Sequence, residues 1–299
     1  MIKTCILISG PTAIGKTALA IELAQKFSTQ IISADSRQCY KELNIGVAKP
    51  TQHELELVTH HFINSHSIHE KINAADFEKY ALDSIAKIFE VSNIAIMVGG
   101  TGLYMKAFTE GIDNIPAIPA DVRTEISNRY SLHGFKWLEE KLIYTDKEYA
   151  NRGDMKNPQR MMRALEVKLH TNQSILAYQS GAKKQREFNI IKIGLESNRE
   201  ALYTRINSRV DNMISQGLIE EAFELKQFEL LNALQTVGYA ELFDYFKGNF
   251  SKEQAIDLIK QHTRQYAKRQ MTWFKKDTSI QWFSNDSAEV FNFLSKKLD

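Results

Sequence analysis

Cysteine is nearly missing from this chain: there are two in 299 residues, Cys5 inside an apolar run and Cys39 beside Tyr40. That excludes a disulfide framework or a zinc knuckle and fits a reducing compartment. Long hydrophobic runs are missing too. No apolar stretch approaches the roughly 18 residues a membrane helix needs, and the N-terminal apolar segment runs straight into a loop instead of a cleavage site. A soluble cytoplasmic protein without a membrane partner is therefore expected. The formal net charge is only +2, so any argument for nucleic acid must rest on where charges cluster. Repeats and low-complexity tracts are also absent. What remains is a chain with 43% hydrophobic residues, enough to bury a sizeable core in one large domain or two smaller ones.

One stretch carries most of the information. Gly10-Pro11-Thr12-Ala13-Ile14-Gly15-Lys16-Thr17 is a complete G-x-x-x-x-G-K-[ST] loop. Cys5 to Ile8 before it reads as a buried strand, and Thr17 to Phe27 after it has helical spacing. In that setting backbone N–H groups and the positive end of the helix dipole cradle phosphate oxygens, Lys16 adds a charge, and Thr17 offers a hydroxyl to Mg²⁺. The ligand is expected to be a di- or triphosphate.

Further strands are predicted at Gln30–Ala34, ending in the polar cluster Asp35-Ser36-Arg37-Gln38, and at Ile94–Val98, ending in Gly99-Gly100-Thr101-Gly102. A helix is predicted between them over 74–89. This alternation implies an α/β fold of P-loop NTPase type, a mostly parallel sheet flanked by helices. Pro116 and Pro119 break the pattern, and residues 116–152 read as a helical insertion. The catalytic core is thus assigned to 1–115 and 153–299. The segment from Phe188 to Leu195 returns to the sheet, and the rest is nearly all helix.

A P-loop enzyme that transfers the terminal phosphate of ATP usually ends an apolar strand in an Asp that helps hold Mg²⁺. Here that strand ends in glycine. The acid at a strand end is Asp35, close to the phosphate loop if its strand neighbours the first, and able to act as a general base or a water-mediated metal partner. The pattern leaves room for chemistry in which a diphosphate departs, with Arg205 or Arg209 stabilising its charge. Three basic clusters stand out: Lys156, Arg160, Arg163 and Lys168; Lys183, Lys184 and Arg186; and Arg264, Lys268, Arg269, Lys275 and Lys276. Tyr266, Trp273 and Phe274 interleave with the last, where core packing is favoured over base stacking. The histidines at 53, 60, 61, 66 and 69 fit no common zinc spacing and read as structural or exposed.

Taken together the motifs resemble the bacterial tRNA dimethylallyltransferase family. The matching blocks include Gly10–Thr17, Asp35–Tyr40, Ile45–Pro50, Val98–Tyr104, Asn157–Arg160, Arg163–Val167, Val237–Tyr239 and Thr263–Gln270 with Thr272–Phe274, in the family's order over nearly the whole chain. The resemblance implies transfer of a dimethylallyl group from dimethylallyl pyrophosphate, bound with Mg²⁺ at the P-loop, to N6 of the adenosine 3′ of the anticodon in tRNA. It implies Asp35, Thr101 and Lys16 as catalytic residues and Gly10, Pro11, Thr12, Ala13, Ile14, Gly15, Lys16, Thr17 and Arg209 as the diphosphate site. Asp35, Ser36, Arg37, Gln38, Thr101, Arg123, Gln159, Arg160, Met161, Met162 and Arg163 are implied on the tRNA, with the insertion on the anticodon stem. A monomer is expected. Ile14, Val47 and Cys39 depart from the family's usual Ser, Thr and Val. Enzymes that prenylate free adenine nucleotides, P-loop nucleotide kinases and an inactive RNA-binding relative remain as alternatives.

Overall fold

The computed structural model describes residues 2–284 and 286–298. It contains two compact units, one formed by Met1–Glu110 with Gln185–Asp299 and the other by Gly111–Lys184.

The first unit is built on a six-stranded, all-parallel sheet in the order β3-β2-β4-β1-β5-β6. The strands are β1 (Thr4–Ser9), β2 (Ile31–Ala34), β3 (His60–His61), β4 (Ile94–Gly99), β5 (Asn189–Leu195) and β6 (Gln281–Phe283). The central strands are apolar on both faces because both faces are covered. Side chains of Cys5, Leu7, Ile32, Ala34, Ala95 and Met97 enter one core, and those of Ile6, Ile8, Ile31, Ile96 and Val98 enter the other. The first core takes α3 (Ala74–Val91), α4 (Gly102–Glu110), α9 (Leu218–Glu224) and α10 (Tyr239–Phe246). The second takes α1 (Lys16–Lys26), residues of α8 (Arg199–Ser215) and α12 (Ser287–Leu298), and Ala267 of α11 (Lys252–Phe274). The remaining helix, α2 (Gln52–Leu57), is a single capped turn and a half, closed by a Thr51–Glu54 capping box.

The condition set for Asp35, that its strand neighbour the P-loop strand, is not met: β4 lies between β2 and β1. Two strand spacings place the two carboxyl ends about 10 Å apart. They still converge because β4 ends in glycine. A Cβ on Gly99 would lie 2.1 Å from the Ala34 carbonyl oxygen, so the chain crosses there only without a side chain.

The second unit consists of α5 (Ala120–Thr145), α6 (Lys147–Arg152), α7 (Pro158–Thr171) and a 3₁₀ turn at Ile175–Tyr178. Gly134 interrupts α5 with φ 72° and ψ −166°, a conformation that glycine adopts at least cost. Ile126, Leu138, Leu142, Tyr149, Met161, Met162, Ala164, Leu165, Val167 and Ile175 form one core. The insertion therefore extends beyond the expected 116–152: the boundary at 152 would cut α7 away from the core it completes. Residues 153–184 belong with the insertion, not with the sheet.

Candidate active site

The P-loop adopts its expected form between β1 and α1. Gly10 has φ 146°, and a Cβ there would lie 2.8 Å from the Leu195 carbonyl oxygen; Gly15 has φ 102°. Gly15 caps α1 without any side-chain hydrogen bond, so the first N–H groups of the helix face the loop and suit an anion. Ile14 is buried in the core, and its departure from Ser removes no backbone donor. Lys16 Nζ donates to the Pro11 carbonyl at 2.7 Å. Burial, then the neighbouring charge of Arg209, lowers its pKa to about 7, with Asp35 opposing.

Two cavities meet here. The first, about 230 Å³, is lined by Thr12–Ala18, Asp35, Gln38, Gly99, Gly100, Arg209, Tyr266 and Gln270. The second, about 510 Å³, is lined by Ser36, Arg37, Val210, Met213, Leu218, Val237, Ile259 and Arg269 among others. Thr12, Asp35, Val47, Ala48, Arg209 and Tyr266 line both. Asp35 therefore stands where the cavity at the P-loop opens onto a larger cavity lined by both apolar and polar side chains, Glu241, Thr263 and Arg269 among the latter.

Asp35 is held for that position. Its Oδ1 accepts from the backbone N–H of Arg37 at 2.9 Å and of Gln38 at 3.3 Å, a local turn that fixes the carboxylate. Gln38 Nε2 donates to the carbonyls of Val47 and Ala48, fastening the loop between the cavities. Glu221 accepts from the N–H groups of Ile45 and Gly46 and from the Tyr239 hydroxyl, fixing the same loop from the other side.

Several residues sit differently from expectation. Thr101 lines neither cavity; its Oγ1 accepts from the Ser36 N–H at 3.1 Å and donates to Ser36 Oγ at 3.4 Å. It braces the Asp35 turn instead of facing the phosphate loop. Arg209 reaches the cavity, and its charge is disfavoured by burial and favoured by Asp35. Arg205, one turn earlier, donates instead to Ser197 Oγ at 2.7 Å. Tyr266 lines both cavities; burial and then the Asp35 charge push its hydroxyl up to about 12, so it stays protonated. Of the three aromatics expected to pack in the core, Phe274 does, whereas Tyr266 and Trp273 stay 36% and 37% exposed, Trp273 lying where a Cβ on Gly102 would fall. His60 and His61 make local hydrogen bonds to the Val58 carbonyl and the Gln30 side chain.

In the second unit, the side chains of Met161 and Met162 are buried, 0% and 9% exposed. Their implied place on tRNA is corrected: they form the inward face of α7, which leaves Gln159, Arg160 and Arg163 outward. Arg123 and Arg163 share the Glu166 carboxylate at 3.3 and 3.0 Å, and Arg160 pairs with Asp154 at 3.0 Å. The middle basic cluster is also partly structural. Arg186 forms a buried ion pair with Glu78 and donates to the carbonyls of Ala107 and Phe108.

Gln270 and Glu221 were not singled out as site residues from the sequence alone. The signal for Gln270 is its spacing: Ala267, Gln270 and Phe274 form the buried stripe of α11, and an amide on such a stripe needs partners.

Residues 38–277 match the profile of a family described as IPP transferase. A tRNA dimethylallyltransferase of Christiangramia forsetii is 47% identical over 98% of this chain and 98% of its own length. One from Flavobacterium johnsoniae is 45% identical over 99% and 98%. Among solved structures, the full-length tRNA isopentenylpyrophosphate transferase of Bacillus halodurans superposes with a TM-score of 0.74 at 36% identity, covering 99% of this chain and 97% of that one. A eukaryotic dimethylallyltransferase acting on tRNA gives a TM-score of 0.75 at 26% identity, over 96% of this chain and 75% of that one.

Proposed function

The chain belongs to the IPP transferase family, and from that premise we propose that it transfers a dimethylallyl group from dimethylallyl pyrophosphate to N6 of the adenosine 3′ of the anticodon in tRNA. The observation that carries the reading is the junction of two cavities at Asp35. A diphosphate held at the P-loop directs its allylic carbon toward the carboxylate. An adenine extruded from the anticodon loop, as chemistry on a stacked base requires, meets the same carboxylate from the second cavity.

In the transfer, N6 attacks the allylic carbon as the bond from that carbon to the diphosphate oxygen breaks, and pyrophosphate leaves. Asp35 accepts the N6 proton. The helix N-terminus, Lys16 and Arg209 stabilise the charge developing on the departing diphosphate. Thr101 acts through Ser36, keeping the Asp35 turn in place. Tyr266, uncharged, closes the junction of the cavities without competing for the proton. Thr17, which lines the first cavity, would hold Mg²⁺ through its hydroxyl, and the ion when bound would supply further charge neutralisation to the diphosphate. β4, the strand beside the P-loop strand, offers Gly99 and Gly100 where a terminal-phosphate transferase carries an Asp. That supports departure of an intact diphosphate over kinase chemistry. Arg123, Gln159, Arg160 and Arg163 supply phosphate contacts to the tRNA, and the protein acts as a cytoplasmic monomer.

The test offers undermodified tRNA with either dimethylallyl pyrophosphate or ATP, followed by nuclease digestion and mass spectrometry of the nucleosides. Dimethylallyladenosine should form with the first donor alone. Phosphorylated product with ATP, and none with the prenyl donor, would overturn the proposal.

A further inference from the structure

The diphosphate loop and the Asp35 turn arise from strands that are not neighbours, yet the reaction needs them in fixed register. One side chain spans the gap. The amide of Gln270, on α11 and 6% exposed, accepts from the Thr12 backbone N–H at 2.9 Å through Oε1 and donates to the Gly100 carbonyl at 3.0 Å through Nε2. The connection continues: Thr101, next to Gly100, bonds Ser36 through its hydroxyl, and its own N–H donates to the Ala34 carbonyl at 3.2 Å. A hydrogen-bonded path thus runs from the phosphate loop through Gln270 and the glycine turn to the residues flanking Asp35.

We propose that Gln270 is a positioning residue that sets the distance between the diphosphate loop and the Asp35 turn, and that Gly100 is glycine to admit its amide. The chemistry explains the residue type. The span needs an acceptor for one backbone N–H and a donor for one backbone carbonyl on a single short side chain, which an amide provides and a carboxylate or an ammonium does not. The space explains Gly100, where a Cβ would lie 2.2 Å from Gln270 Nε2. Gln270 borders the first cavity, and both of its amide bonds run to backbone groups. Its Thr12 contact also takes one loop N–H out of the set available to phosphate.

This inference rests on the transferase reading. Its test compares wild type with Gln270→Met, Gly100→Ala and the double variant in four measurements: melting temperature, affinity for inorganic pyrophosphate, affinity for undermodified tRNA, and kcat with both substrates saturating. Gln270→Met releases the Thr12 N–H on the wall of the first cavity, so pyrophosphate affinity is followed as a separate readout, while affinity for tRNA should stay within about threefold. Misalignment by an ångström costs up to about 100-fold, so kcat should fall about 10- to 100-fold in Gln270→Met. Gly100→Ala, which displaces the amide and leaves Gln270 in place, should reproduce that split. The double variant should be no slower than the slower single, as expected for two changes that break one contact. Wild-type kcat in Gln270→Met overturns the inference. So does a parallel loss of melting temperature, both affinities and kcat in both single variants, the pattern of a residue that merely supports the fold. A wild-type protein that transfers nothing to tRNA would sink the transferase reading as well, whereas an active wild type matched by its variants sinks this inference alone.

Discussion

Asp35 has one carboxylate oxygen committed to two backbone N–H groups, which leaves the other for the incoming amine. An exocyclic amine conjugated to a purine is a poor nucleophile, and removal of its proton during attack is worth about 10²–10⁴-fold. Asp35→Asn keeps the turn and loses the base. Turnover should fall by that order while both substrates still bind, and added Mg²⁺ should not restore it; restoration would make Asp35 a metal partner. Lys16 gives a second expectation. Its pKa of about 7 without ligand must rise when a diphosphate displaces the Pro11 carbonyl as its partner. Below pH 7 the ammonium is present in both states and affinity is flat. Above pH 7 binding takes up a proton, so affinity should weaken by up to about tenfold per pH unit until the bound pKa is reached. Calorimetry with dimethylallyl pyrophosphate at pH 8 in two buffers of different ionisation enthalpy should detect that uptake in wild type and not in Lys16→Met.

Among the elements, α7 divides most plainly into two faces. Met161, Met162, Ala164 and Leu165 point into the second core, and Gln159, Arg160 and Arg163 point away. Met161→Ala should therefore cost about 2–5 kcal/mol of stability in denaturant melts without changing affinity for dimethylallyl pyrophosphate. Arg160→Ala should leave stability within about 0.5 kcal/mol and weaken tRNA binding. Equal tRNA loss in both variants without loss of stability would return Met161 to the RNA surface. Met161 and Met162 were placed on tRNA by the contiguous motif block alone, whereas the helical period of α7 puts 161, 162, 164 and 165 on one buried side. β1, α1, β2 and β4 were legible because each is a clean apolar run bounded by glycine or polar residues. β3 and β6, with two and three residues, are too short to show a period, and the reading of the chain after Leu195 as nearly all helix did not show the break that Gly217 makes at φ 102°. The order of strands is a long-range property. Nothing local in Ile31–Ala34 says that β4 pairs with it, so the sequence places Asp35 at a strand end without showing which strand lies beside it.

At the scale of the whole molecule the charge is nearly balanced, and much of the clustered charge is already paired: Arg123 and Arg163 to Glu166, Arg160 to Asp154, Arg186 to Glu78 and Lys275 to Glu196. Binding of tRNA should still weaken with salt, but through a small number of local phosphate contacts. In a titration from low to high salt, Arg160→Ala should reduce the slope of log affinity against log salt by about one; an unchanged slope would remove Arg160 from the phosphate contacts. On the proposed reading, a P-loop fold with a helical insertion uses its two joined cavities on an adenosine presented by tRNA and not on a free nucleotide. The most direct measurement of that claim is the ratio of kcat/KM for an anticodon stem-loop to that for AMP, with dimethylallyl pyrophosphate saturating and the prenylated products separated and weighed. A ratio of several orders of magnitude in favour of the stem-loop is expected, and comparable values for the two acceptors would contradict the account.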